Sequence, residues 1–282
     1  MEISIASGKG GTGKTTIATN LAVAIAKMGK KVSYLDCDVE EPNGSIFLKP
    51  KITEKFDVTV LIPRVIHDKC NLCGECSAAC EYNAIAVLGK TVEVFDSLCH
   101  SCGGCLDVCP EDAIEEIPRT IGTISHGDGM GVKFYEGRLN VGEAISPPIT
   151  KELRKLVNKS NVTIIDAPPG TSCPVIEAIN GTNFVILVTE PTPFGLNDLK
   201  LAVGMMREID LPFGVVINRS DIGDNRTDEY CHDEKIDILM KIPFDRKIAE
   251  AYSQGDMMLD VDSKYEKSLY ELYQNIANRA LS

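Results

Sequence analysis

The sequence of 282 residues lacks two features that would point to a membrane or a nucleic acid. It has no run of about 18 apolar residues, so no segment is expected to cross a bilayer as a helix. Basic side chains are in the minority, since 29 lysines and arginines face 41 aspartates and glutamates and the formal net charge is −12. Non-specific DNA binding and attraction to anionic lipid both require basic surface. We therefore expect no nucleic-acid partner and no membrane partner.

The N-terminal residues also lack the pattern of a secretory signal peptide. Residues 2–6 read E-I-S-I-A, which predicts a strand rather than a basic segment followed by an apolar one. The protein is therefore expected to be cytoplasmic. Disulfides are rare in that compartment, so the 11 cysteines are expected to be free thiols or metal ligands.

Eight of the cysteines form one pattern that is written twice. The spacing C-x2-C-x2-C-x3-C occurs once and is repeated 29 residues later. The same dipeptide, Ala-Ile, follows both runs at the same distance, and Pro110 follows the second run directly. The eight cysteines are Cys70, Cys73, Cys76, Cys80, Cys99, Cys102, Cys105 and Cys109.

This doubled run resembles the bacterial ferredoxins that hold two [4Fe-4S] clusters. Zinc is the alternative, because C-x2-C pairs also form zinc knuckles. The fourth cysteine in each run and Pro110 favour iron–sulfur clusters, although Glu81 stands where the first run would have its proline. In such ferredoxins the fourth cysteine of each run binds the other cluster. The resemblance therefore implies two ligand sets, Cys70, Cys73, Cys76 with Cys109 and Cys99, Cys102, Cys105 with Cys80.

A phosphate-binding loop lies near the N-terminus. Residues 8–15 read G-K-G-G-T-G-K-T between a predicted strand and a predicted helix, which is the context that the P-loop motif requires. Glycines let backbone N–H groups turn toward a phosphate, and the helix N-terminus adds positive potential. Lys14 is expected to bridge the β- and γ-phosphates of ATP, and the Thr15 hydroxyl to bind Mg²⁺. The predicted nucleotide-binding residues of this loop are Gly8, Gly10, Gly11, Thr12, Gly13, Lys14, Thr15 and Thr16.

Lys9 makes this loop distinctive. A lysine directly after the first glycine is typical of the deviant Walker A loop, and the chain resembles the MinD/ParA/Mrp and nitrogenase iron-protein class over nearly all residues outside the cysteine runs. In that class the early lysine reaches the nucleotide of a partner subunit. The resemblance implies a homodimer, or a heterodimer of paralogues, in which Lys9 stabilises the transferring phosphoryl group as an arginine finger does.

Two carboxylates are expected to complete the hydrolytic site. Residues 35–38 read L-D-C-D after the second predicted strand, where the class has its first switch segment. Asp38 matches the carboxylate that orients the attacking water, and Asp36 would help to hold the Mg²⁺ shell. The apolar strand 162–165 ends in Asp166, which resembles the Walker B aspartate that meets Mg²⁺ through water.

Two further residues are predicted from the same resemblance. Gly170 lies in the segment that resembles the second switch, where its N–H would contact the γ-phosphate. Asn218 ends the predicted strand 213–217 at the position where the class reads the adenine base with an asparagine. A structural loop asparagine is the alternative for Asn218.

Strands that alternate with helices predict a doubly wound, mostly parallel α/β sheet of the P-loop NTPase kind. A small α+β domain resembling a bacterial ferredoxin is expected to interrupt it, which divides the chain into residues 1–63, 64–117 and 118–282. A short apolar run is expected at 58–62 and ends at Pro63. The glycine-rich stretch 122–131 is expected to be a loop, and 132–141 a hairpin around Glu136 and Gly137. Further helices are expected at 149–158 and 265–280.

The remaining cysteines are expected to be buried or incidental. Cys173 has the spacing from Asp166 at which the nitrogenase iron protein places a ligand to a cluster shared between subunits, but the second cysteine that such a site needs is missing from residues 140–148. A bridging or labile cluster at Cys173 is the alternative. Cys37 is solitary, and Cys231 stands alone where the Mrp/Nbp35 carriers have a C-x-x-C pair.

The resemblances imply a dimeric ATPase, weak without its partner, that binds ATP, Mg²⁺ and two [4Fe-4S] clusters. Our preferred hypothesis is a switch that couples its nucleotide state to electron transfer to a redox partner protein. One alternative is a scaffold or carrier that delivers iron–sulfur clusters to a client protein. Another is a spatial regulator of the MinD/ParA type with structural clusters, although the sequence has no basic DNA-binding face or basic C-terminal helix.

Overall fold

A nine-stranded sheet forms the centre of the computed structural model, which describes residues 1–157 and 161–280. The strands β1 to β11 are Glu2–Ala6, Val32–Asp36, Lys51–Val65, Ile85–Leu88, Thr91–Val94, Ile114–Gly129, Val132–Leu139, Val162–Asp166, Phe184–Thr189, Phe213–Asn218 and Ile238–Ile242. The helices α1 to α10 are Lys14–Lys27, Gly44–Leu48, Glu75–Ala78, Gly104–Asp107, Pro147–Lys155, Cys173–Ile179, Pro193–Glu208, Arg226–Asp233, Arg246–Ser253 and Ser263–Ala280. Asn158, the predicted end of the helix at 149–158, lies outside the described residues.

The strand order in the large sheet is β11-β10-β9-β1-β8-β2-β7-β6-β3. The pairs from β11 to β7 are parallel, whereas β7–β6 and β6–β3 are antiparallel. The apolar strands of the parallel part are buried on both faces: α1 and α10 pack on one face, and α5, α6 and α7 on the other. The predicted α/β fold with a mostly parallel sheet is thus confirmed.

Two long antiparallel strands carry the cysteine-rich segment away from this sheet. β3 and β6 pair from Lys51 with Asp128 to Val65 with Ile114, and residues 66–113 lie between their outer ends. We call this pair of strands the ribbon. The predicted boundaries at 64 and 117 fall inside it, and the short apolar run expected at 58–62 is the middle of a strand of 15 residues.

The prediction of a loop at 122–131 is wrong, because its glycines serve strand pairing. A Cβ at Gly127 would lie 2.1 Å from the Lys51 carbonyl oxygen, and one at Gly129 would lie 2.3 Å from that of Leu48. Real Cβ atoms do not approach backbone atoms this closely, so the segment at 48–51 can lie beside β6 only because these two positions are glycine. The stretch therefore continues as β6 up to Gly129.

The prediction of a hairpin within 132–141 is also wrong. β7 runs unbroken from Val132 to Leu139, and the turn lies before it, where Met130 and Gly131 have φ values of 49° and 79°. Two successive positive φ values are typical of the tight turns that join antiparallel strands. Gly137, which suggested the hairpin, instead gives room to Ile149 in α5, whose side chain would lie 2.7 Å from a Cβ there.

The cysteine-rich segment folds as two copies of one local structure. Helices α3 and α4 begin 29 residues apart, at Glu75 and Gly104, which is the period of the sequence repeat. The backbone repeats the same left-handed positions before each helix, with φ of 84° at Gly74 and 76° at Gly103. The hairpin of β4 and β5 links the copies.

Candidate functional site

A cavity of about 380 Å³ opens at the carboxyl ends of the parallel strands, above the loop between β1 and α1. Ligands of open α/β sheets bind at this edge. The loop supplies Gly10, Gly11, Gly13, Lys14, Thr15 and Thr16 to the lining, and other elements add Asp38 and Asn218. Gly11 and Gly13 have φ of 78° and 97°, a left-handed conformation that glycine adopts without strain.

Lys14 is buried beside the two predicted catalytic carboxylates. Burial raises the pKa of both Asp38 and Asp166, and the side chain of Lys14 opposes part of that rise. The pKa of Asp38 is raised to about 6. The structure therefore brings the predicted phosphate-binding lysine and both predicted carboxylates into one electrostatic environment.

Asp36 and Asp166 lie side by side at the ends of β2 and β8 and are fully buried. Burial raises the pKa of Asp36, and the nearby Asp166 raises it further, whereas a hydrogen bond from the backbone of Gly44 lowers it. Asp36 accepts hydrogen bonds from the N–H groups of Asn43 at 3.1 Å and Gly44 at 2.8 Å. Its carboxylate thus anchors the start of α2.

The oxygen atoms at and around Asp166 are suitable ligands for a Mg²⁺ ion. Its Oδ2 accepts a hydrogen bond from the Tyr34 hydroxyl at 2.9 Å, whereas its buried Oδ1 has no partner within the described residues. The Thr15 hydroxyl lies close enough to lower the pKa of Asp166. Mg²⁺ prefers hard oxygen ligands and keeps several waters, so an unpaired carboxylate oxygen beside a hydroxyl is suited to it.

Lys9 points to an acidic residue that the sequence analysis did not identify. Its Nζ lies 3.9 Å from Glu190, at the end of β9, and the second oxygen of Glu190 accepts a hydrogen bond from Arg219 at 2.7 Å. The Glu190 side chain is 9% exposed and that of Lys9 is 34% exposed. Lys9 is therefore directed to a carboxylate of its own chain, a partner too distant in sequence for the loop motif to reveal.

Two predicted contacts are occupied by protein atoms. The Gly170 N–H donates to the Ser7 carbonyl at 2.9 Å, so a bond to the γ-phosphate would require this one to break. The Asn218 amide donates to the Thr12 carbonyl at 2.9 Å and accepts from the Arg219 N–H at 3.0 Å. Asn218 thus holds the phosphate loop as well as lining the cavity.

The far end of the cavity is apolar. Phe244 and Tyr252 line it and are half exposed, and Pro243, Ile248 and Met258 complete that wall. Planar apolar side chains suit the flat face of a base. The pattern I-P-F-D at 242–245 is the sequence signal for this wall, whereas Tyr252 and Met258 follow from no motif.

Two small cavities in the cysteine-rich segment bring the eight cysteines together in two groups of four. One is lined by Cys70, Cys73, Cys76 and Cys109. The other is lined by Cys80, Cys99, Cys102 and Cys105. Each group contains three cysteines of one run and the fourth of the other, as the resemblance to ferredoxins implies. We call these the first and second cysteine cavities.

The sulfur atoms in these cavities receive backbone hydrogen bonds. The N–H of Ala84 donates to Cys80 and that of Ala113 to Cys109, each at 3.3 Å, which repeats the internal symmetry. Burial and neighbouring thiols raise the pKa of Cys105 to about 11. N–H donors favour thiolates, whereas burial without a cation disfavours them, so the cavities suit thiolates that bind a positively charged group.

A single metal ion fits less well. Within the described residues no three His, Cys, Asp or Glu side chains are arranged to hold one metal ion. A cubane cluster binds each thiolate at a different iron, so its ligands are spread around it rather than converging on one point.

The other cysteines differ in exposure. Cys37 and Cys231 are buried, as expected, and burial raises the pKa of Cys231 to about 11. Cys173 is exposed at the first position of α6. His100 lines the second cysteine cavity and stacks on Tyr82, with ring centroids 3.6 Å apart.

A doubly wound sheet with a glycine-rich loop between β1 and α1 defines a P-loop nucleotide-binding protein. The family model described as the CobQ/CobB/MinD/ParA nucleotide binding domain matches residues 3–258, so the chain belongs to this family of P-loop ATPases. None of the helices in the described residues is long and apolar enough to cross a membrane.

Three similar proteins illustrate the relationship. An uncharacterized protein of Methanocaldococcus jannaschii is 32% identical over 278 residues, which cover 98% of this chain and 96% of the relative. An iron-sulfur cluster carrier protein of Pyrococcus horikoshii is 27% identical over 303 residues, which cover 99% and 86%. The structure of the septum site-determining protein MinD of Pyrococcus horikoshii, complexed with Mg-ADP, aligns with a TM-score of 0.60 at 22% identity and covers 98% and 95%, which supports the fold.

Proposed function

We propose that the protein is an ATP-binding and ATP-hydrolysing dimeric switch that carries two [4Fe-4S] clusters and couples its nucleotide state to electron transfer to a partner protein. The observation that carries the proposal is the grouping of the eight cysteines into two cavities of four. The proposed cluster ligands are these cysteines, and the clusters would supply one-electron transfer.

The ribbon connects the nucleotide site to the cysteine-rich segment through a continuous strand. Asp36 holds the N–H groups of Asn43 and Gly44 at the start of α2. Only Lys49 and Pro50 separate the end of α2 from β3, which leads to the cysteine-rich segment. A rearrangement of the segment after Asp38 would therefore act on the end of the ribbon where Lys51 pairs with Asp128, which we call its root. A ligand shifts such an equilibrium only through contacts that differ between states, and a γ-phosphate supplies them.

The ATP site supports hydrolysis by residues of this chain. Lys14 would hold the β- and γ-phosphates, and Thr15 and Asp166 would hold Mg²⁺. Asp38, once ionised, would accept a hydrogen bond from the attacking water. Lys9 of the opposite subunit would stabilise the charge that develops on the phosphoryl group. The pairing of Lys9 with Glu190 fits a lysine that acts only after a second subunit arrives.

The test compares nucleotide states of the intact protein with its clusters. The midpoint potentials and the rate of electron transfer to a low-potential acceptor dye are measured with ADP and with a non-hydrolysable ATP analogue. We expect at least one quantity to change in the wild type and neither to change in Lys14→Ala. A wild-type protein that hydrolyses ATP but shows no nucleotide effect on either quantity would refute the coupling.

A second candidate function is the carrier alternative. The relative named iron-sulfur cluster carrier protein is aligned over 99% of this chain, which favours a role in delivering clusters to a client protein. A carrier releases its cluster, whereas an electron-transfer protein retains it. Incubation of the iron-loaded protein with an apo-ferredoxin separates the two: ATP-dependent loss of iron to the acceptor supports the carrier, and retention supports the switch.

A further inference from the structure

Tyr34 is the buried polar side chain that links the two strands bearing Asp36 and Asp166. It lies in the middle of β2, is fully buried and stacks on Phe134, with ring centroids 5.9 Å apart at an interplanar angle of 11°. Its hydroxyl donates to Asp166 Oδ2 at 2.9 Å. The stacking restrains the plane of the ring, and the hydrogen bond holds the hydroxyl against Asp166, so the two side chains are expected to move together.

The hydrogen bond also distinguishes the two oxygens of Asp166. Oδ2 is used by Tyr34, and Oδ1 is left buried without a partner in the part of the chain that the structure describes. A carboxylate that meets a metal through one oxygen is commonly oriented by a hydrogen bond to the other. Tyr34 therefore has the place of an orienting partner for Asp166.

The same hydroxyl touches the start of α2. A Cβ at Gly44 would lie 2.4 Å from the Tyr34 hydroxyl oxygen, so glycine is the residue that leaves room for it. The Gly44 N–H donates to Asp36 Oδ2 at 2.8 Å. Tyr34 and Asp36 are two residues apart on β2 and project from the same face of the sheet. The hydroxyl thus lies between the Walker B carboxylate and the first residue of α2.

We propose that Tyr34 is a positioning residue that orients Asp166 toward Mg²⁺ and transmits the presence of the ion to α2 and hence to the root of the ribbon. The inference rests on the proposed nucleotide site but not on the clusters. A shift of Asp166 toward a bound ion would draw the hydroxyl with it and change its contact with Gly44. The ion is then sensed at α2 even though α2 supplies no ligand to it.

Tyr34→Phe tests this inference, because it removes the hydroxyl and keeps the ring that stacks on Phe134. Binding of a fluorescent ATP analogue is measured as a function of Mg²⁺ concentration. We expect the apparent Mg²⁺ affinity to fall by about tenfold, the low end for loss of an orienting partner, while nucleotide affinity in EDTA stays unchanged. Hydrogen exchange of residues 43–48, which should slow in the wild type when Mg²⁺ is added to the nucleotide complex, should not respond in the variant.

The control is Tyr273→Phe, which removes a hydroxyl from a buried tyrosine of α10 and should behave as the wild type in both measurements. Gly44→Ala is a second variant: its methyl group must displace the Tyr34 hydroxyl, and it should lower the Mg²⁺ affinity as well. Wild-type Mg²⁺ affinity in both Tyr34→Phe and Gly44→Ala would overturn the inference. A wild-type protein that binds no nucleotide at all would instead refute the proposed nucleotide site, and this inference with it.

Discussion

Lys9 and Glu190 form an ion pair within one chain, with Nζ 3.9 Å from the carboxylate oxygen. The pair directs the lysine to the end of β9 in a subunit without a partner. Glu190 is also bonded to Arg219, which lines the nucleotide cavity. In the proposed dimer, Lys9 would therefore have to leave this carboxylate before it could reach the second subunit.

Replacing Glu190 should make dimerisation easier. Glu190→Gln removes the charge that holds Lys9, and a partly exposed ion pair contributes on the order of 0.5–1 kcal/mol. Two such pairs are released when the symmetric dimer forms, so we expect the ATP-dependent dimer of this variant to form at a protein concentration about five- to thirtyfold lower than in the wild type. Sedimentation equilibrium with a non-hydrolysable ATP analogue measures this, and a shift to higher concentrations would show that Glu190 stabilises the dimer instead.

Lys9→Ala should abolish turnover without abolishing nucleotide binding. A cation delivered in trans to the phosphoryl group raises turnover by about 10³-fold or more. We expect ATP hydrolysis to fall by that factor and ADP affinity to change little. Lys55→Ala, an exposed lysine on the edge strand, is the matched control and should hydrolyse ATP normally. Normal turnover in Lys9→Ala would remove the trans-acting role.

The pH dependence of hydrolysis should report on Asp38. Burial raises its pKa to about 6, so its carboxylate is largely protonated below that pH and largely ionised above it. Because only the ionised form can take up a proton from water or form a charge-assisted hydrogen bond with it, kcat/KM should fall as pH drops through about 6. Asp38→Asn should be inactive at every pH. A profile that stays flat down to pH 5 in the wild type would argue against Asp38 as this group.

Double cysteine variants should separate the crossed ligand sets from uncrossed ones. Cys70 and Cys109 line the same cavity, whereas Cys70 and Cys80 line different ones. The pair Cys70→Ala with Cys109→Ala should therefore lose one cluster and keep about half of the iron. The pair Cys70→Ala with Cys80→Ala should lose nearly all of it. Iron analysis and electron paramagnetic resonance measure this, and the reverse result would indicate that each run binds its own cluster.

Asn218→Ala distinguishes the two roles of that side chain. It removes the hydrogen bond to the Thr12 carbonyl, and a bond of this kind contributes about 1 kcal/mol. We expect the affinities for ATP and GTP to fall by the same factor, about fivefold, because both nucleotides use the phosphate loop that this hydrogen bond holds in place. A selective loss of ATP affinity, measured by calorimetry, would show that Asn218 reads the base, as the sequence predicts.

The sequence predicts the P-loop and its carboxylates because their chemistry is local. Lys14 and Asp166 are recognised from the few residues around them, and parallel strands then bring their ends to one edge of the sheet. Glu190 and Tyr34 were missed for the opposite reason. Their partners, Lys9 and Asp166, are far away in the chain, and no spacing rule connects them.

The errors in the fold came from glycines. In the sequence, Gly127 suggests a loop and Gly137 a turn, yet each lies in a strand where another segment comes too close for a side chain. Glycine in a sequence marks either freedom of the backbone or lack of space, and only the neighbouring chain decides between them. The cysteine repeat in the sequence, by contrast, has a matching repeat in the structure, because the backbone conformation is the same in both copies.

The ribbon has a consequence for modular exchange. Its strands remain paired as far as Val65 and Ile114, so the chain leaves the ATPase and returns to it at adjacent points. Antiparallel neighbours can be closed by a turn of about two residues. Replacing residues 66–113 by a short turn would thus leave the order of the parallel strands unchanged. The outer end of the ribbon is therefore an insertion site at which a different small domain could be grafted.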